Sequence, residues 1–297
     1  MALIGYRDRG DDYVIKSYDM SKDLQALYGN LTRFEADGGG DDPESVNEAL
    51  DAAVSKLTWS DKQGTRKIVF LVGDAPPHMD YKGERKYPEI ITDARKDNII
   101  VNTVQAGQDA ETTNFWKDIA ERGAGRYMAI AQDGGPIEEV TTPYDQQIMQ
   151  NQQQIDKTIM PYGTRAQQAE LTDKMSVKMA APAAVQVENS KFYSKRSSAK
   201  EVITGGGDLI DDVRNKKLEI ATIKDSELPA DLKGKSEKER TETVEKKLLE
   251  RTKLEEQMAG LVKQRDEYLA KAAAEGSKNV DDSFDKVVSE TLKEQLQ

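Results

Sequence analysis

The stretch KIVFLVGDAPPHMD, from Lys67 to Asp80, constrains the fold more tightly than any other part of the chain. Its run Ile68-Val69-Phe70-Leu71-Val72 has no polar break and is rich in β-branched residues, which favour a buried, pleated strand. Strands that are apolar on both faces belong to parallel sheets enclosed by helices. Gly73-Asp74 ends the run, and Pro76-Pro77 bars a further regular strand or helix. A carboxylate, Asp74, is thereby delivered to one rim of a sheet, and KIVFLV is read as its central strand.

The flanking sequence repeats the alternation of short apolar runs and helical periodicity from residue 2 to about residue 135. ALIGYR and YVIKSY flank DRGDD, a segment dense in turn formers, and predict a hairpin. Leu24, Leu27, Leu31 and Phe34 share one helical face. After the glycine-rich DGGGDDPE, Asp42 suits an N-cap and Pro43 the first helical position, where a missing N–H costs nothing. Val46, Ala49, Leu50, Ala53, Val54 and Leu57 then recur at helical spacing. YPEIITDARKDN is the next predicted helix, IIVNTVQAG an inner strand, ETTNFWKDIAERGAG a helix closed near Gly123, and RYMAIA a last short strand.

Beyond residue 136 or so the texture changes. Ile148, Ile155 and Ile159 form a weak helical pattern in a glutamine-rich segment that reads as a polar surface helix. KMAAPAAVQVENSKFYSKRSSAK reads as a partly extended linker. A second GGGD, ending at Asp208, lacks the proline and the preceding strand of the first and reads as a helix start. From Ser236 to about Ala274 the chain is charged and helical, with one face for a neighbour or partner, and Phe284, Val287, Val288, Thr291 and Leu292 mark a last helix whose apolar face needs cover. The expected organisation is an α/β domain over 1–135, a polar helical and linker region over 136–235, and a charged helical tail over 236–297.

The 297 residues carry a formal charge of −11, which argues against nucleic acid or an anionic membrane as the principal partner and suits cations. No cysteine is present, so neither disulfides nor thiolate metal sites enter. No apolar run approaches the roughly 20 residues that span a bilayer. The N-terminal MALIGYRDRGDDYVI lacks the basic flank and apolar core of a signal peptide and reads as a strand already begun.

In a doubly wound sheet, ligands collect outside the C-terminal ends of the strands. Asp74 and the acidic DGGGDDPE both point to that rim. Two readings stand: Asp42 as a helix cap with Asp74 as a turn former, or carboxylates around a hard divalent cation, for which Mg²⁺ is the usual occupant.

GGGDDPESVNEALDAAV followed by TRKIVFLVGDAPPH resembles a von Willebrand factor A domain of the variety with GG-D-PE and GDAPPH signatures, over about residues 1 to 135. The resemblance implies a Rossmann-like α/β sheet with a metal-ion-dependent adhesion site at its rim. Asp74 matches the third metal loop; GGGDDPE matches the second, where Thr is absent and Asp41 is the closest oxygen ligand. The Asp-x-Ser-x-Ser loop of the first strand does not occur. The expectation is a chain lacking that strand and its metal loop, truncated rather than divergent, with a groove beside KIVFLV and weak metal affinity. The tail resembles those of exported bacterial proteins, which implies a periplasmic or secreted longer form.

His78, the single histidine, reads as a loop residue near the rim rather than a catalytic one, since no nucleophile is signalled beside it. Neither a dinucleotide fingerprint nor a P-loop is present. The expected function is a non-enzymatic protein-interaction module that reaches an acidic group of a protein partner through Mg²⁺ held by Asp74 and Asp41. The alternative is a scaffold that binds through its C-terminal helices, with a vestigial rim. An attached kinase, as on some similar domains, would lie outside this chain.

Overall fold

The computed structural model describes residues 1–35, 42–133, 141–196, 205–274 and 284–297. Contacts divide the chain into two compact units: Met1–Ser21 with Leu31–Glu138 and Asn279–Gln297, and Lys22–Asn30 with Glu139–Lys278. The C-terminal segment thus groups with the first unit, although more than a hundred residues separate them in sequence.

The first unit is α/β. Strands β1 (Leu3–Tyr6) and β2 (Ile15–Tyr18) form the expected antiparallel hairpin. Strands β3 (Lys67–Gly73), β4 (Ile99–Ala106) and β5 (Ala124–Ile130) form a separate parallel sheet in the order β3-β4-β5. Helix α1 (Leu24–Leu31), next in sequence after the hairpin, groups almost wholly with the second unit; α2 (Val46–Ser55) precedes β3, and α3 (Tyr87–Lys96) and α4 (Ala110–Arg122) link the parallel strands. Val46, Leu50, Ile90, Ile91, Trp116 and Ile119 from these three helices meet Leu71, Ile99 and Val101 in one core. Full burial of each such side chain stabilises by about 1.5–3 kcal/mol relative to exposure, which is why the helices lie flat on the sheet.

KIVFLV is not the central strand. Among the described residues β3 pairs only with β4, and β4 is the middle strand, buried along almost its whole length. Val69 and Leu71 face the core, whereas Val72 is 52% exposed. On the far side of β3 the hydroxyl of Tyr6, reaching from β1, donates to the Val72 carbonyl at 3.0 Å. A tyrosine side chain is about as long as one interstrand spacing of roughly 4.8 Å and more, so the hairpin stands beside β3 without a backbone ladder.

Two helix boundaries also differ from expectation. Helix α2 starts at Val46 with Ser45 at the N-cap, not at Asp42-Pro43. Glu44 is held extended by a parallel bridge to Pro77: its N–H donates to Pro76 O, and its carbonyl accepts from His78 N. The helix cannot begin until that backbone is released. The small-residue segment read as a linker, 178–200, is helical over most of its described residues: it carries the last turn of α6 (Arg165–Ala180) and the whole of α7 (Ala183–Arg196), with the break between them at Ala181-Pro182.

The second unit is helical. Helix α5 (Asp145–Lys157) is no surface helix: Ile148 and Ile155 are buried against Val187 of α7 and Met258 and Val262 of the long α9 (Glu237–Ala274). Asp208 caps α8 (Leu209–Arg214), as the second GGGD predicts, by accepting from Ile210 N. A second cluster joins Met160, Leu209, Ile210, Leu228, Leu232 and Val244. The last helix, α10 (Phe284–Gln295), belongs to the first unit; Thr291 is buried, while Phe284 and Val287 remain exposed. No helix among the described residues is long and apolar enough to cross a membrane.

Candidate functional site: an acidic rim around His78

The C-terminal end of β3 meets the loop after β1 and the segment before α2. Asp74 follows Gly73 and is exposed, and its backbone carbonyl accepts from Thr112 Oγ1 at 3.3 Å. Trp116 Nε1 donates to the next carbonyl, Ala75 O, at 3.2 Å, so α4 fixes the path of the chain as it leaves the strand. Asp41 lies outside the described residues.

The centre of the rim is His78, 1% exposed. Its backbone is anchored on every side: its N–H donates to Glu44 O at 3.1 Å, and its carbonyl accepts from Asn47 Nδ2 at 2.6 Å and Lys86 Nζ at 3.2 Å. Asn47 Oδ1 also accepts from Tyr87 N at 2.8 Å, tying the first turn of α2 to the start of α3. The ring of His78 stacks on Tyr81 at 3.8 Å, with an interplanar angle of 11°. Its Nδ1 stands 2.8 Å from Asp80 Oδ1, and its Nε2 stands 3.3 Å from Asp8 Oδ1.

Asp8 comes from the DRGDD turn. Tyr81 donates its hydroxyl to Asp8 Oδ2 at 2.8 Å, and Ser45 Oγ donates to Oδ1 at 3.2 Å. Partial burial raises the Asp8 carboxyl, but these donors and the charge of His78 outweigh it, and the group is held below the usual carboxylate range. Arg9 lies over the Tyr81 ring at 4.0 Å and pairs with Glu48 at 2.6 Å and Glu84 at 2.7 Å. Lys86 pairs with Glu84 at 2.6 Å.

Glu44 has the opposite environment. Burial, then the charges of Asp8, Asp11 and Asp74, push its carboxyl up to about 6, and its Oε2 is buried without a hydrogen-bond partner. Burial and the charges of Glu44 and Asp74 likewise push the Tyr6 phenol up. Four carboxylates, on Asp8, Asp11, Glu44 and Asp74, therefore share one field. They do not converge as a ligand set: among the described residues no group of three or more Asp, Glu, His or Cys is arranged to hold a metal ion. Asp74 alone supplies too few oxygens for Mg²⁺, which takes about six ligands.

Asp74 sits at the rim where the strand-end argument puts it. Asp8, Glu44 and Tyr81 were not singled out from sequence; the one signal was the density of carboxylates in DRGDD, which reads equally well as a turn. No family model, curated protein or solved structure matches the chain.

Proposed function

We propose that the first unit is a non-enzymatic protein-interaction module of the von Willebrand factor A kind, docking its partner at the acidic rim beside Asp74. The observation that supports this reading is the crowding of Asp8, Asp11 and Asp74 against Glu44, whose carboxyl is raised to about 6 by burial first and by these charges in addition. Such a rim gains from any countercharge brought to it. In this reading the countercharge is a divalent cation between Asp74, Asp41 and an acidic group of the partner. The described donors do not by themselves fit Mg²⁺, so the ion belongs to the complex, and Mg²⁺ binding by the chain alone is weak. The parallel sheet, its three covering helices and the two motif-bearing loops meeting at Glu44 and Pro77 are compatible with the family resemblance.

The test is partner capture on the full chain with Mg²⁺ or with EDTA, using wild type and Asp74→Ala. Capture that depends on Mg²⁺ and is lost in the variant supports the module. Capture undiminished in EDTA sinks the cation reading. A second reading, a scaffold that binds through its tail helices, is favoured by Leu249, which stands 74% exposed in the middle of α9. Loss of capture in Leu249→Asp with Asp74→Ala unaffected selects the scaffold.

A further inference from the structure

We propose that His78 is a proton-operated clasp: with both ring nitrogens protonated it holds the β1–β2 loop through Asp8 to the β3–α3 loop through Asp80, and with one proton it releases one of them. The argument starts from donor count. Neutral imidazole carries a single N–H, whereas imidazolium carries two. Here each ring nitrogen stands beside a carboxylate: Nδ1 is hydrogen-bonded to Asp80 Oδ1 at 2.8 Å, and Nε2 makes an ion-pair contact with Asp8 Oδ1 at 3.3 Å that is not aligned as a hydrogen bond. A neutral ring would set a lone pair against one of those anions, and a buried ring cannot turn to water for relief.

The rest of the loop is built so that only this contact changes. The His78 backbone is held by Glu44, Asn47 and Lys86, contacts that do not depend on the ring. Stacking on Tyr81 fixes the ring plane, and Tyr81 also donates to Asp8, so the ring meets a carboxylate whose position is already set. Among the described residues, the charged and titratable groups facing His78 include Asp8 from the hairpin loop, Glu44 before α2, Asp80 and Tyr81 on its own loop, and Lys86 at the start of α3, with Arg9 over the Tyr81 ring. The anions Asp8, Asp80 and Glu44 favour the second proton; Lys86 and Arg9 oppose it. Closing the clasp offsets the Asp8 charge, and opening it returns that charge to the rim shared with Asp11, Glu44 and Asp74. The clasp thus sets the rim's charge by pH, and it stands or falls separately from any reading of what the rim binds.

Because His78 is the only histidine, a uniformly ¹⁵N-labelled full chain shows one imidazole spin system. Both ring nitrogens should be protonated near about pH 7, where free histidine is mostly neutral. Asp80→Asn, at an exposed position, should return the ring to the single-proton form at the same pH. Hydrogen exchange of the Arg9 and Asp11 amides, corrected for the intrinsic rate, should rise about tenfold as the ring loses its second proton, and His78→Gln should abolish that dependence. A singly protonated ring in wild type near about pH 7, or a titration unchanged in Asp80→Asn, overturns the proposal. If His78→Gln does not fold, the Asp80→Asn spectra decide alone.

Discussion

Asn102 in the middle of β4 and Gln295 at the end of α10 exchange two amide hydrogen bonds, Nδ2 to Oε1 at 3.0 Å and Nε2 to Oδ1 at 2.7 Å. Asn102 Oδ1 also accepts from Arg126 N at 2.8 Å, where the β4–β5 register slips between Val101 and Thr103. One buried amide thus patches an irregular ladder and anchors the C-terminal helix. Arg126 pairs with Glu294 at 2.9 Å beside it. Gln295→Ala should strand the Asn102 amide and cost about 1–3 kcal/mol. Asn102→Leu, which also deprives Arg126 N of its acceptor, should cost more. Urea unfolding of the two variants checks the order; equal midpoints would mean that the amide pair is not what holds the helix.

Glu44 should make stability fall as pH rises. Its folded carboxyl is raised by burial and by Asp8, Asp11 and Asp74 from 4.5 to about 6, so the folded state binds the proton more tightly than the unfolded chain. The penalty is absent below the unfolded value, grows between that value and the folded one, and is complete above about 6. The side chain is only partly buried, so solvent screening reduces the effect to about 1 kcal/mol or less. Glu44→Gln should therefore stabilise at about pH 7.5 and be neutral near about pH 4. Chemical denaturation of both proteins at the two pH values reads the difference.

Which features were legible in the sequence follows from how local their causes are. Helices α3 and α4 and strands β4 and β5 are set by their own periodicity, since Ile90, Ile91, Trp116 and Ile119 face the same core. The rank of β3 in the sheet was not legible, because apolar composition records cover by helices and not which backbone edge has a neighbour. Val72 is as apolar as Leu71, yet one is exposed and the other buried. The start of α2 was missed for a related reason: Pro43 fits a first helical turn and an extended segment alike, and the bridge from Glu44 to Pro77 decides. At the rim, Asp74 is announced by the strand it ends. The approach of Asp8 to His78 is not, because it depends on where the hairpin lies relative to β3.

In the second unit, Arg251 and Asp208 form an ion pair with both side chains at most 4% exposed. Arg251 Nε also donates to Thr158 Oγ1 at 2.6 Å, and Asp208 accepts from Met160 N at 3.0 Å while capping α8. Asp208→Asn keeps the shape and the cap but leaves a buried guanidinium without its countercharge. It should cost about 3–5 kcal/mol, whereas pairing it with Arg251→Met should recover much of the loss, since the buried charge goes with its partner. The midpoint of the far-ultraviolet circular dichroism transition is the measurement. A double variant as unstable as the single one would show that Arg251 contributes packing and not charge.

The contact between hairpin and sheet can be isolated at Gly73. A Cβ there would lie 2.2 Å from the Tyr6 hydroxyl oxygen and 3.2 Å from the Trp116 ring. The hydroxyl is also the group that donates to Val72 O at 3.0 Å. Gly73→Ala therefore has to push Tyr6 off its carbonyl, combining overpacking with a lost hydrogen bond, and should cost about 2–4 kcal/mol. Tyr6→Phe alone should cost about 1 kcal/mol, the worth of one such bond. In the Tyr6→Phe background the severe clash is gone and only the milder Trp116 contact remains, so the added cost of Gly73→Ala should fall by at least about 1 kcal/mol. Additive costs across the four proteins of this cycle would mean that Trp116, not the tyrosine hydroxyl, is what requires a glycine at the end of β3.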